Sequence, residues 1–244
     1  MIALFTDFGS AGPYVGQVKA VLARLAPESP VIDLAHDLAA HDARLAAYLL
    51  AALVPVLPRG TVVVAVVDPG VGGARAALAL AADGRRYVGP DNGLLAIVAR
   101  RAETVAWHGI PLPERPVSAT FHGRDVFAPA AARLVRREPA AGPPAIPSVG
   151  ADWPDDLARI VHRDRFGNAI TGVRAATVAA GAHLVVGDRR LRRARTFSDV
   201  ALGTPFWYAN ANGLVEIAVN QGSAVETLGL TVGDPVAFEG APPA

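Results

Sequence analysis

The polarity pattern changes character a little past the middle of the chain. Over residues 1–140, apolar runs of strand length alternate with longer segments of helical character. Ile2–Thr6, Val31–Leu34 and Thr61–Val67 read as strands, with helices over Tyr14–Leu25 and from Asp42 to about Leu57 between them. The run Thr61–Val67 is unbroken and ends in Asp68-Pro69-Gly70. Such a run suits a strand buried on both faces, and the β-α-β-α-β order implies a parallel sheet covered by helices. Further strand patterns at Ala77–Ala81, Tyr87–Val88 and Thr104–Trp107, and a helix from about Asp125 to Arg137, complete a Rossmann-like α/β half.

From Glu138 to Pro154 the sequence is EPAAGPPAIPSVGADWP, whose prolines forbid a helix and supply no ladder donors. The expected organisation is an N-terminal α/β domain over residues 1–140, a proline-rich linker over 141–154 and a C-terminal β domain over 155–244. In the last, short strands separated by Gly, Asp and Asn fall at Ala158–His162, Ala169–Thr171, His183–Val186, Pro205–Tyr208, Leu214–Val219 and Pro235–Phe238. That spacing suggests a small antiparallel sheet or barrel. The expected fold class is α/β, a Rossmann-like N-terminal domain followed by a smaller, barrel-like antiparallel β domain.

Composition narrows the chemistry. With 52% hydrophobic and 18% charged residues, the 244-residue chain can bury one large core or two modest ones. A formal net charge of +1 offers no field for nucleic acid, and the cluster Arg189, Arg190, Arg192, Arg193, Arg195 lacks interleaved aromatics, so it reads as a solvated strand and turn. The absence of cysteine excludes disulfides, thiolate catalysis and cysteine-ligated metals. The N-terminus, MIALFTDFG, reads as a first strand rather than a signal peptide, and the longest apolar segment, Leu45–Leu57, is too short to span a bilayer and contains Pro55. A cytoplasmic protein with no membrane or nucleic-acid partner is expected.

Familiar cofactor signatures are missing. Gly70-Val71-Gly72-Gly73 lacks the third glycine of a dinucleotide fingerprint, and there is no Walker loop or GxSxG elbow. His36 and His41 lie near Asp37 and Asp42 without HExxH or facial-triad spacing, so no metal site is expected. What remains are polar residues at predicted strand ends, where open α/β sheets bind ligands. Asp7 ends the first strand and Asp68 the third. Either alone serves equally well as a cap or turn residue, but two on one sheet edge favour a site. Asp68 and Arg75 stand at opposite ends of a glycine-rich loop, as an ion pair that pins the loop or as part of a site. His122 precedes a helix carrying Asp125 in its first turn. Asp164-Arg165-Phe166-Gly167-Asn168 and Asn212–Ala218 are plausible turns that also hold groups able to cover a base and read its edge.

Taken together, TDFG (Thr6–Gly9), VDPGVG (Val67–Gly72), GPDNGLL (Gly89–Leu95), FHGRDVFAPAAA (Phe121–Ala132), DRFGN (Asp164–Asn168) and NGLVEIA followed by GSA resemble one family over nearly the whole chain. It is the S-adenosyl-L-methionine hydrolase, or hydroxide adenosyltransferase, family, related to the bacterial fluorinase and chlorinase. The resemblance implies hydrolysis of S-adenosyl-L-methionine to adenosine and L-methionine, with no cofactor. It also implies a homotrimer whose sites lie between one subunit's N-terminal domain and its neighbour's C-terminal domain. Asp68, Arg75 and His122 match the water-activating group. By the same matching Asp7 would hold the ribose hydroxyls, Thr120 would lie beside the nucleophile, and Phe166 and Phe197 would flank the adenine. Asn168 would read the adenine edge, Asp164 would meet the methionine ammonium and Tyr208 would line the methionine pocket. A non-acidic residue in place of Asp68 in the halogenases, and a serine in place of Gly123 in the fluorinase, favour water over halide here. Two departures are Ala211-Asn212, where fluorinase-like relatives carry Ser-Arg for the carboxylate, and Gly172, which replaces an asparagine. A chlorinase-like nucleoside halogenase and a non-catalytic S-adenosylmethionine sensor are the alternatives.

The chemistry fits that residue set. A sulfonium leaves as a neutral thioether, so displacement at the ribose C5′ needs no general acid, metal or phosphate clamp. Free water has a pKa of about 15.7, so proton removal and positioning must supply the acceleration. With ordinary values of about 3.9 for Asp and about 6.5 for His, His122 is the better-matched acceptor at neutral pH, while Asp68 either orients it or holds the water itself.

Overall fold

The computed structural model describes residues 1–114, 116–139 and 142–240. The chain forms two compact units, Met1–Trp153 and the remainder from Pro154. The first is built on a six-stranded sheet of β1 (Ile2–Thr6), β2 (Val31–Ala35), β3 (Val62–Val66), β4 (Ala77–Ala82), β5 (Arg85–Pro90) and β6 (Val105–Gly109), in the order β2-β1-β3-β5-β4-β6. The first four in that order are parallel, whereas β4 runs antiparallel to both β5 and β6. The sheet is therefore mixed rather than wholly parallel. The reason is local: Asp83 and Gly84, at φ 47° and 78°, form the tight turn that folds β4 directly back onto β5.

Every residue of β1 and β3 is buried, as an uninterrupted apolar run requires. Ile2, Leu4, Val62, Val64 and Val66 pack with Val18 and Leu22 of α1 (Tyr14–Leu25) and with Ala131 and Leu134 of α4 (Ala128–Val135). The alternate residues Ala3, Phe5, Val63 and Ala65 are equally buried on the opposite side. α2 (Ala43–Leu53) packs against α3 (Ala96–Arg101). Asp42 caps α2 by accepting the Leu45 N–H at 2.9 Å. α2 ends before Pro55, and a 3₁₀ turn over Val54–Val56 takes up the rest of the expected helix. The helix expected from Asp125 begins two residues earlier as a single π-helical turn, Gly123–Phe127, that runs into α4.

The proline-rich stretch is fastened to the first unit where it is described. Gly109 donates its N–H to the Pro143 carbonyl at 3.0 Å, Ser148 donates to Asp91 at 3.0 Å, and the Arg100 guanidinium reaches the carbonyls of Gly150 and Ala151, both at 2.9 Å. The second unit holds two antiparallel sheets around one core. β7 (Leu157–Arg163), β8 (Ala169–Arg174), β11 (Pro205–Ala209) and β12 (Leu214–Val219) form one, in the order β11-β12-β8-β7. β9 (His183–Val186), β10 (Arg189–Leu191) and β13 (Ala237–Glu239) form the other, in the order β10-β9-β13. Trp207, Val215, Ile217, Leu184, Val186 and Ile160 fill the space between them, with a short helix α5 (Ala224–Leu228) alongside. Among the described residues, no helix is long and apolar enough to cross a membrane.

Candidate active site

The parallel order of β1 and β3 brings Asp7 and Asp68 to the same sheet edge. Both line a cavity of about 230 Å³ with Phe8, Tyr14, His41, Thr120, His122 and Gly123. Asp7 Oδ2 accepts the His41 N–H at 3.1 Å. Arg75 folds back across the glycine-rich loop and meets Asp68 with two nitrogens, Nε to Oδ1 at 3.0 Å and Nη2 to Oδ2. The same Nη2 lies 2.9 Å from His122 Nδ1. Three residues separated by 7 and 47 positions in sequence thus form one hydrogen-bonded cluster, with the Asp68 and Arg75 side chains 5% and 11% exposed.

The donor and acceptor roles in this cluster follow from the groups themselves. A guanidinium can only donate, so Nδ1 of His122 accepts and the neutral ring carries its hydrogen on Nε2. Burial and the Arg75 charge hold the imidazole below its ordinary value of 6.5, against the opposite pull of Asp68 and Asp125. The Arg75 guanidinium also lies over the Phe127 ring, 5.4 Å from its centroid.

Two glycines explain why the loops approach so closely. Gly72 has φ +78°, and a Cβ there would stand 2.2 Å from the Ala119 carbonyl oxygen, so the loop carrying Asp68 and Arg75 rests on the segment leading to Thr120 and His122. At Gly123 a Cβ would lie 2.8 Å from Phe8 Cζ. The Phe8 ring is in turn edge-on to Phe121, with centroids 5.6 Å apart. Asp125, buried in the π-helical turn, accepts the Ser118 N–H at 2.9 Å and pairs with Arg124, which fixes the start of the segment bearing Thr120.

The remaining expected residues gather in the second unit. Asp164, Phe166, Asn168, Phe197 and Tyr208 line a cavity of about 770 Å³, together with Glu216, Asn220 and Gln221. Asp164 Oδ1 accepts the N–H groups of Phe166 and Asn168, both at 2.9 Å, and its Oδ2 accepts from Asn168 Nδ2 at 2.8 Å. Asn168 is buried and spends an amide hydrogen on Asp164, so its first role is to hold that carboxylate in place. Phe166 is 77% exposed, whereas Phe197 packs edge-on against Tyr208 with centroids 5.5 Å apart. Gly172 belongs to the sheet: a Cβ there would lie 2.8 Å from Leu157 Cβ and 2.9 Å from the Leu157 carbonyl oxygen.

Sequence reasoning missed Glu216. It lies directly opposite Tyr208 across the β11–β12 ladder, is 5% exposed, and accepts hydrogen bonds from the Tyr208 hydroxyl and from Asn210 Nδ2, the latter at 2.8 Å. Burial pushes its carboxyl above the ordinary glutamate range and the Asp164 charge adds to this, against the two hydrogen bonds. Burial and Glu216 likewise raise the Tyr208 hydroxyl. A glutamate inside the otherwise apolar run LVEIAV was the available signal.

A carboxylate, guanidinium and imidazole cluster at the carboxyl ends of parallel strands is the arrangement of an α/β protein that receives a small ligand at the edge of its sheet. Residues 2–142 match the SAM hydroxide adenosyltransferase N-terminal domain, and residues 158–237 match the C-terminal domain of the same family. The chain belongs to the SAM hydroxide adenosyltransferase family. It is 48% identical to the (R)-S-adenosyl-L-methionine hydrolase of Thermus thermophilus, over 96% of this chain and 98% of that one. It is 42% identical to the (R)-S-adenosyl-L-methionine hydrolase of Salinispora tropica, over 96% of this chain and 95% of the relative. An uncharacterized conserved protein from Thermotoga maritima, whose crystal structure is known, has a similar fold, with a TM-score of 0.86, 30% identity and coverage of 98% of this chain and 99% of that one.

Proposed function

We propose that this protein hydrolyses (R)-S-adenosyl-L-methionine to adenosine and L-methionine by in-line attack of water at the ribose C5′. The observation that carries the reading is the cluster of Asp68, Arg75 and His122 beside Asp7 in one cavity, in a chain nearly half identical to a hydrolase of that name. Because "L" already fixes the amino-acid carbon, "(R)" in the relatives' names specifies the sulfonium sulfur, which bears three different carbon groups.

In this reading the water's oxygen forms the new bond to C5′ as the C5′–S bond breaks, and the sulfur keeps the electron pair as a neutral thioether. One proton must leave the water. His122 Nδ1 already receives the Arg75 N–H, and burial beside a guanidinium disfavours a second ring proton. Asp68 is therefore the acceptor, and it passes the proton to solvent after turnover. His122 serves as a donor that orients the nucleophile through Nε2–H, and Arg75 stabilises the developing hydroxide. Of the two acceptors that the sequence leaves open, this reading chooses Asp68 over His122.

In the second unit, Phe166 and Phe197 flank the adenine, Asn168 reads its edge, Asp164 meets the ammonium and Tyr208 lines the methionine pocket. Asp7 holds the ribose hydroxyls, Thr120 lies beside the nucleophile, and Gly123 leaves Phe8 its place. The finer features implied by the family accompany the activity: a Rossmann-like first domain, a barrel-like second domain, a homotrimer with sites shared between subunits, a cytoplasmic location and no cofactor. The test is incubation with each sulfonium epimer in chloride buffer, with adenosine, methionine and chlorinated adenosine quantified by mass-detected chromatography. Equimolar adenosine and methionine establish the hydrolase. Chloroadenosine would make it a halogenase, and binding without turnover a sensor.

A further inference from the structure

His36 belongs to a hydrogen-bonded chain that the proposed reaction does not use. The chain begins at the surface, where Lys19 Nζ donates to Asp33 Oδ2 at 2.6 Å, and passes inward from Asp33 Oδ1 to His36 Nε2 at 2.9 Å. It continues from His36 Nδ1 to Thr6 Oγ1 at 2.8 Å and ends on the Phe8 N–H, which donates to Thr6 Oγ1 at 3.3 Å. His36 and Thr6 are buried, at 7% and 1% exposure. Burial works against the Asp33 carboxylate, but the bonds from His36 and Lys19 outweigh it and hold Asp33 below its ordinary value, hence ionised.

An ionised carboxylate only accepts, so His36 carries its ring hydrogen on Nε2. In the neutral ring Nδ1 is then the acceptor, and the Thr6 hydroxyl donates to it. With the ring in this form, the Thr6 lone pairs turn to the Phe8 N–H. The His36 carbonyl also accepts the Gly9 N–H at 2.9 Å. One histidine thus grips the loop twice, at the peptide joining Asp7 to Phe8 and at the next one.

We propose that His36 is a positioning residue for ribose recognition: acting through Thr6, it sets the main-chain path of Asp7 and Phe8 and so the placement of the Asp7 carboxylate. The inference rests on the reading that Asp7 holds the ribose hydroxyls.

The test uses Thr6→Val, which removes the hydroxyl at nearly constant shape, Thr6→Ser, which keeps it, and His36→Asn, which keeps a polar group near Nδ1 but cannot reach Asp33. Thr6→Val is expected to raise KM for (R)-S-adenosyl-L-methionine about tenfold with little change in kcat, the signature of lost uniform binding. His36→Asn falls between Thr6→Val and wild type, and Thr6→Ser restores wild-type behaviour. In an Asp7→Ala background, Thr6→Val has no further effect on KM, because the group it places is gone. A lowered Tm with unchanged KM, or the same tenfold loss with and without Asp7, would assign His36 a purely structural role and overturn the inference. Should the wild type cleave nothing, the proposed activity fails, and calorimetric adenosine affinity of the same variants decides this inference. Equal affinities would sink it.

Discussion

Replacing Asp68 by Asn removes one charge and leaves the shape. The amide oxygen keeps one bond from Arg75, but the new NH₂ faces the other guanidinium N–H, donor against donor. The Asp68 and Arg75 side chains are 5% and 11% exposed, so bulk water makes good little of the lost bond. Leaving a buried charge without its partner costs about 3–5 kcal/mol. The Phe127 ring face and the Ala76 carbonyl still receive Arg75, which places the expected loss near the lower end. At about 2–4 °C per kcal/mol for a chain of this size, Tm falls by roughly 6–12 °C. The kinetic loss is separate and larger. Without a proton acceptor beside the water, kcat falls about 10²–10⁴-fold, or roughly 3–5 kcal/mol of barrier. Adenosine affinity is unchanged, because in this reading Asp68 touches water and not the nucleoside. Chromatographic turnover, calorimetric adenosine binding and a melting curve on one preparation separate the three effects. A wild-type kcat with a raised KM, found for both Asp68→Asn and His122→Ala, would refute a role for the cluster in activating water.

Three further outcomes are expected. Gly72→Ala places a β-carbon against the Ala119 carbonyl at a positive φ and should cost at least about 1–3 kcal/mol, read as a lower urea midpoint, with kcat reduced because the loop carries Asp68 and Arg75. His122 has a depressed pKa, so as pH falls below 6.5 the unfolded chain takes up its proton before the folded one. Its contribution to stability is therefore full above pH 6.5 and is lost as pH falls toward the folded value, a slope that His122→Asn should remove from pH-dependent urea titrations. Glu216 has the opposite sign: its carboxyl is raised, so the folded state keeps the proton longer, and stability from this group is greatest below pH 4.5 and declines as pH rises through the raised value. Glu216→Gln should flatten that decline in the same titration, and an unchanged slope would mean that Glu216 is not buried as described.

Much of the fold was legible because burial dictates composition. Tyr14–Leu25, His183–Val186 and Leu214–Val219 have the expected limits, each a segment bounded by turn or polar residues. Other elements carried signals that were present but weaker. Asp83-Gly84 announces the hairpin that makes the sheet mixed, Ser223 caps α5 by accepting the Glu226 N–H, and Gly229 ends it in the left-handed region. β10 was legible only as part of a solvated strand and turn, not as a member of a sheet. It is an edge strand of exposed arginines, and alternation tells little where one face has no core to meet. The π-helical turn at Gly123–Phe127 has no sequence signature that separates it from an ordinary helix start.

The site was legible as a set of motifs and not as a geometry. Local sequence pairs Asp68 with Arg75, but only the fold brings His122 to the free side of the same guanidinium nitrogen, and that contact decides the tautomer. Until Nδ1 is known to be occupied, solution pKa values favour histidine as the base. Once it is, the proposed mechanism assigns the proton to the carboxylate instead. Glu216 shows the same dependence on tertiary context. In LVEIAV a single glutamate reads as the solvent side of a strand, and on an edge strand it would be. β12 is instead flanked by β11 and β8, so the glutamate is enclosed and must find donors among its neighbours. Tyr208 across the ladder and Asn210 at the hairpin supply them, while Asp164 brings a second negative charge to the same cavity. Two carboxylates beside aromatic walls suit a ligand that arrives as a cation, which a sulfonium substrate is and its thioether and nucleoside products, apart from the ammonium, are not.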